Sequence, residues 1–156
     1  MRYLIIVLLT CSTTLSFGQS KHYSGTWTKI NTTYAFDFDL ILTVNESNQV
    51  EGYFIWKVVH YDENDLTSKQ YYENKIGMTA IEYVAGTYND LESEYFLKGY
   101  KKEDPNAIIG LDIYELKTDT EGSIGGITSA NNSWLGRINA KSNELVFLNS
   151  EYEDVF

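Results

Sequence analysis

The run Tyr34-Ala35-Phe36-Asp37-Phe38-Asp39-Leu40-Ile41-Leu42-Thr43-Val44 alternates with a period of two. Tyr34, Phe36, Phe38, Leu40, Leu42 and Val44 share one face, and Asp37, Asp39 and Thr43 take the other. Successive side chains of an extended strand point to opposite faces, so this is the pattern of a half-buried β-strand. A polar turn, Glu46-Ser47-Asn48-Gln49, separates it from Val50–Tyr61 (VEGYFIWKVVHY), and the two runs predict a long hairpin.

Strand-and-turn units continue on both sides. A strand is predicted at 23–30, and further strands at 81–88, 95–101, 107–117, 123–128, 133–139 and 144–148. The turns between them are rich in Asn, Asp, Gly and the single proline, Pro105. That spacing predicts eight or nine strands in one all-β domain, an antiparallel up-and-down barrel. Residues 62–78 break the pattern. Their polar start and ambiguous Tyr71-Tyr72-Glu73-Asn74-Lys75-Ile76-Gly77 predict a long excursion with a turn of helix or a short strand, and such connections often form lids or binding loops. Gly52, Gly86, Gly99 and Gly136 stand inside predicted strands, where glycine marks bends and close backbone approaches, as a tightly curved closed sheet needs.

Residues 1–18 predict an export signal. Arg2 supplies the positive n-region, Tyr3–Leu9 the apolar core, and Ser16-Phe17-Gly18 small residues at a cleavage site. The apolar run is too short for a membrane-spanning helix. The expected domains are thus the signal at 1–18 and a barrel at 19–156, secreted or periplasmic. Leu8-Leu9-Thr10-Cys11 resembles a lipoprotein processing box with Thr10 in place of the usual small residue, which leaves a lipid anchor at Cys11 as the lesser alternative. Cleavage after Gly18 removes the only cysteine, and with it any disulfide. It also removes Arg2, one of 12 basic side chains, and none of the 22 acidic ones. So acidic a chain argues against nucleic acid and anionic membranes as partners.

Gly25-Thr26-Trp27 on the first strand, followed by a meander and by Arg137 on a late strand, resembles the calycin group of lipocalins, fatty-acid-binding proteins and avidins. The avidin branch is nearest in layout. The resemblance implies a barrel whose closed end carries Trp27 with Arg137 packed across it, and a ligand mouth at the opposite end. The biotin-contacting set of the avidins does not map here: Asn31, Thr32 and Thr33 lack the expected spacing, and the excursion at 62–78 is foreign to that branch. Biotin binding is therefore not carried over. From the residues alone, Arg137 is equally well a surface side chain.

The strongest functional signal is aromatic: thirteen Tyr, seven Phe and three Trp. Phe36, Phe38, Phe54 and Trp56 share inward strand faces and, with Tyr83 and Tyr100, form the candidate ligand-binding set for a small, mostly apolar molecule. Two alternatives stay open. The inward rings can simply fill the barrel, or Tyr53, Tyr61, Tyr71, Tyr72, Tyr83 and Tyr100 can form an outer stacking surface for a glycan or a partner protein. No catalytic constellation is expected. Asp37 and Asp39 read as solvent-facing, and Asp62-Glu63-Asn64-Asp65 lacks the ligand alternation of a calcium loop. His22 and His60 supply at most two ligands of a zinc site. No metal, cofactor or enzymatic activity is expected. A lipid-facing barrel is disfavoured by Lys98, Lys101 and Lys102 on one strand.

Overall fold

The computed structural model describes residues 19–31, 35–130 and 134–143. The expected export signal, Cys11, Thr32, Thr33 and the strand at 144–148 lie outside these residues. Eight strands run in chain order around a closed antiparallel barrel: β1 (Gln19–Lys29), β2 (Ala35–Val44), β3 (Gln49–His60), β4 (Thr79–Asn89), β5 (Glu94–Glu103), β6 (Ile113–Thr118), β7 (Ile124–Ala130) and β8 (Trp134–Asn143). β8 pairs back onto β1, with Gly25 opposite Ala140 and Trp27 opposite Ile138. Closure leaves no unpaired sheet edge. One helix, α1 (Leu66–Tyr72), lies in the connection between β3 and β4.

Period-two alternation sets the inside and outside of the wall. On β2, Phe36, Phe38, Leu40 and Leu42 point inward and are buried. The register places Phe38 opposite Trp56 and Leu40 opposite Phe54, so cross-strand pairs on the same face build the core. Phe54 is stacked between Trp56 (centroids 4.8 Å apart) and Tyr114 (4.7 Å) and is fully buried. Outward positions include exposed Lys57, Lys98, Glu115, Lys117, Arg137 and Lys141. An apolar interior with a charged outer wall is the reverse of the pattern of a lipid-facing barrel.

The two ends differ. At one end the connections are tight turns, each opened by an amide or carboxylate side chain that accepts from the backbone. Asn45 Oδ1 takes the N–H groups of Ser47 and Gln49, Asn89 Oδ1 that of Leu91, and Asp119 Oδ1 those of Glu121 and Ser123. These side chains mimic a backbone turn. Asn48, Ser93 and Gly122 follow in the left-handed conformation. Tyr23 and Tyr95 fill the barrel above this end. At the other end two connections are long, residues 61–78 with α1 and residues 104–112, and these fold over the opening.

The strand expected at 107–117 is real only from Ile113. Ahead of it the Asp104 carboxylate accepts from the N–H groups of Ile108 (2.8 Å) and Ile109 (3.0 Å), Ala107 adopts a φ of 51°, and Lys102 Nζ donates to the Ile109 carbonyl (2.5 Å). These backbone groups are bound by side chains, so they cannot join a ladder. The result is a strap, pinned by buried Ile108.

Trp27 and Arg137 do not stack, which corrects the expectation from the calycin resemblance. β8 alternates so that Gly136, Ile138 and Ala140 face inward and Arg137 outward, whereas Trp27 is buried inside. The residue that meets the indole is Gly136. A Cβ there would lie 2.0 Å from Trp27 Nε1 and 2.3 Å from Cζ2. The indole N–H donates to Thr128 Oγ1 on β7 at 2.6 Å. Gly136→Ala should therefore destabilise the protein by about 2 kcal/mol in urea denaturation, as overpacking does. Gly110→Ala, whose Cβ would have no neighbour nearer than 3.6 Å, serves as the control and should change stability little.

Candidate functional site

A cavity of about 280 Å³ occupies the end of the barrel under α1 and the strap. It lies at the Trp27 end, not opposite it, which corrects the expected position of the mouth. The reason is the asymmetry of the connections: short turns close the far end over Tyr23 and Tyr95, while α1 and the strap arch over the near end and leave space beneath.

The cavity has an aromatic wall and a polar base. Trp27 from the end of β1, Phe36 from the start of β2 and Trp56 from β3 form the wall, and Tyr71 and Tyr72 of α1 form the cover. Phe36 makes edge-to-face contacts with Trp27 (5.7 Å), Trp56 (5.9 Å) and Tyr72 (5.9 Å), so its ring ties the wall to the cover. Asp65 caps α1 by accepting from Thr67 N and Ser68 N, and also faces Lys29 Nζ at 3.8 Å, which anchors the helix to β1. The Tyr71 hydroxyl donates to the Ala107 carbonyl at 2.5 Å and that of Tyr72 to the Ile108 carbonyl at 3.3 Å, joining helix to strap.

Glu82 and Asp112 supply the base. Glu82 points inward from β4 and is 1% exposed. Its Oε2 accepts from the Tyr114 hydroxyl (2.5 Å) and the Trp56 indole N–H (3.2 Å), and its Oε1 from the Asp112 backbone N–H (2.9 Å). Gly99 on β5 makes room for this carboxylate, since a Cβ there would lie 2.0 Å from Oε1. Burial pushes the Glu82 carboxyl up to about 7, against the pull of the Tyr114, Asp112 and Trp56 hydrogen bonds. Burial also pushes the half-buried Asp112 carboxyl up to about 6, opposed by the Thr128 hydroxyl. Tyr114, wholly buried beside both carboxyls, is held well above its ordinary value. Thr128 thus bridges the Trp27 indole and Asp112. Among the described residues, no lysine, arginine or histidine lines the cavity.

The six residues singled out from the sequence separate into three groups. Phe36 and Trp56 line the cavity. Phe38 and Phe54 lie in the packed core, in contact with each other at 5.3 Å and with Trp56. Tyr83 and Tyr100 stand on the outer wall. Tyr53, Tyr83 and Tyr100 form a row there, with centroids 6.3 and 6.5 Å apart, and Lys101 Nζ lies 4.6 Å from the Tyr83 ring centre. Asp37 and Asp39 are also outside, where Asp39 accepts from the Ser24 hydroxyl and faces His22 Nε2. Among the described residues no group of three or more His, Cys, Asp or Glu side chains is placed to hold a metal ion.

Sequence reasoning did not single out Glu82, Asp112 or Tyr114. The available signal was a carboxylate in the apolar run Thr79–Gly86, but Ile81 and Tyr83 make the opposite parity equally apolar, so the inward face is ambiguous there. Comparison of the chain with protein-family models, curated proteins and solved structures finds no match.

A carboxyl with a raised folded-state value stays protonated in the folded chain while it ionises in the unfolded one. Its contribution is therefore favourable below the ordinary value of 4.5 and is lost as pH rises towards 7. Glu82→Gln removes this dependence. The stability of the wild type relative to Glu82→Gln should fall by on the order of 3 kcal/mol between pH 4.5 and 7.5, at about 1.4 kcal/mol per unit. Urea denaturation across that range reads the slope, whatever constant offset Gln incurs by facing three donors.

Proposed function

We propose that this chain is an exported, non-catalytic binding protein that holds a small, mostly apolar molecule in the mouth of its barrel. The observation that carries the reading is the cavity under α1, with an aromatic wall and a few converging polar groups at its base. An apolar cavity of 150 Å³ takes up benzene. The space here, about 280 Å³, suits one ring with a short arm. The hydrogen bonds of Glu82 support binding over catalysis, because its carboxyl already accepts from three donors. The sequence supports export through the pattern at 1–18.

Native mass spectrometry of protein purified from its source should show a co-purified small molecule. Isothermal titration with phenethyl alcohol and related single-ring compounds should show saturable binding. Ala130→Phe, which places a ring at the cavity rim, should weaken that binding at least tenfold with the far-UV circular dichroism unchanged. A clean apo mass together with no binding of any single-ring compound would sink the reading.

The outer row Tyr53-Tyr83-Tyr100 supports a second reading, a stacking surface for a glycan or a partner protein. Tyr83→Ala with Tyr100→Ala would abolish such binding and leave cavity binding untouched.

A further inference from the structure

We infer that the ligand of this cavity is an organic cation: an ammonium group on a single-ring body, with the charge held at Glu82 and Asp112 and the ring against Trp27, Phe36 and Trp56. This inference rests on the cavity being a binding site, as proposed above, and adds the chemical class of what fills it.

Glu82 and Asp112, at the end of the strap, both line the cavity, and among the described residues no cationic side chain lines it. The nearby cations are engaged elsewhere. Lys29 faces Asp65, Lys75 lies over the Tyr71 ring at 3.5 Å and donates to the Ala107 carbonyl, and Lys102 is held by Asp104 and the Ile109 carbonyl. The groups bonded to or packed on the Glu82 carboxyl are neutral or acidic: Trp56 from β3, Gly99 from β5, Tyr114 from β6, and Asp112, which is itself bound by Thr128 from β7. The cross-strand neighbour of Glu82 on β5 is Lys102, whose ammonium is turned to Asp104 and the Ile109 carbonyl. Hydrogen bonds alone balance the Glu82 charge. A carboxylate has about four acceptor positions and three are taken, so one remains, and Asp112 is less enclosed.

The walls match the same chemistry. Aromatic faces attract a cation, most of all where water is excluded. Trp27, Trp56, Tyr71 and Tyr72 surround the space above the carboxyls. A neutral ligand would leave the two carboxyls at the base without a counter-charge. An anion would add a third negative charge. An ammonium placed between them offsets one of the two charges and can donate hydrogen bonds to both groups. The excess of acidic side chains over the whole chain also favours approach of a cation.

Binding is therefore tied to ionisation of the carboxyls. Glu82 at about 7 and Asp112 at about 6 are partly protonated in mildly acidic solution, and a bound cation drives their protons off. The test compares phenethylammonium, phenethyl alcohol and phenylacetate by isothermal titration with the full folded chain. Phenethylammonium should bind at least tenfold more tightly than the alcohol at pH 8, and phenylacetate most weakly. The affinity for phenethylammonium should rise at least tenfold from pH 5 to pH 8, while that for the alcohol stays level. Titration at pH 6 in two buffers of different ionisation enthalpy should show proton release. Asp112→Asn, a half-buried change, and Glu82→Gln should each reduce the preference for the amine over the alcohol. If the alcohol binds as well as the amine, or if the amine binds independently of pH, the cation assignment is wrong and the binding cavity stands. If none of the three binds, both fall.

Discussion

Among the described residues, one carboxyl side chain, Glu82, points from a strand into the apolar interior of the barrel, and the architecture around it is arranged to hold it there. Glu82 accepts hydrogen bonds from β3 through Trp56, from β6 through Tyr114 and from the strap through Asp112 N–H. β5 contributes an absence: Gly99 carries no side chain where the carboxylate lies. Burying an ionised group without such partners costs several kcal/mol, so these segments are coupled. Moving any one of them leaves a buried donor or acceptor unpaired. The end of the strap is fixed in the same way, since Asp112 also ties its carbonyl to Gly99 N–H at 2.8 Å.

That constraint explains why the cavity lies where it does. The inward rings pack densely through the middle of the barrel, where Phe54 is stacked on both faces. Above them the polar groups of Glu82, Asp112 and Thr128 cannot be covered by apolar side chains without losing their partners. The helix and the strap therefore bridge the opening through Tyr71, Tyr72 and Ile108 and do not fill it. Tight turns seal the other end, which needs only apolar and tyrosine side chains. The shape of the cavity and its chemistry have one origin, and the proposed cationic ligand would supply a counter-charge to the carboxyls there.

Some of this was legible in the residues. Phe36, Phe38, Leu40 and Leu42 announce their strand and its inward face, and the Asn- and Asp-led turns announce where strands reverse. The excursion at 62–78 stood out by composition and does form the cover. Other features were not legible. Asp104 turned the first half of an expected strand into a strap through side-chain bonds that polarity patterns do not register. Arg137 lies one residue from Gly136, and which of the two meets Trp27 depends on the parity of β8 relative to β1.

The sequence by itself determined the fold class, because alternation of side chains along a strand is a local property carried by neighbouring residues. It also determined the positions of the tight turns, since an Asn or Asp side chain bonds backbone only two to four residues away. Only the tertiary structure decided which end of the barrel is open and which groups meet there. The contacts that made those decisions join Trp27 to Thr128 and Glu82 to Tyr114, residues 101 and 32 positions apart. Such pairs form when the sheet curls and closes into a barrel, and no pattern within either strand encodes the distance between them.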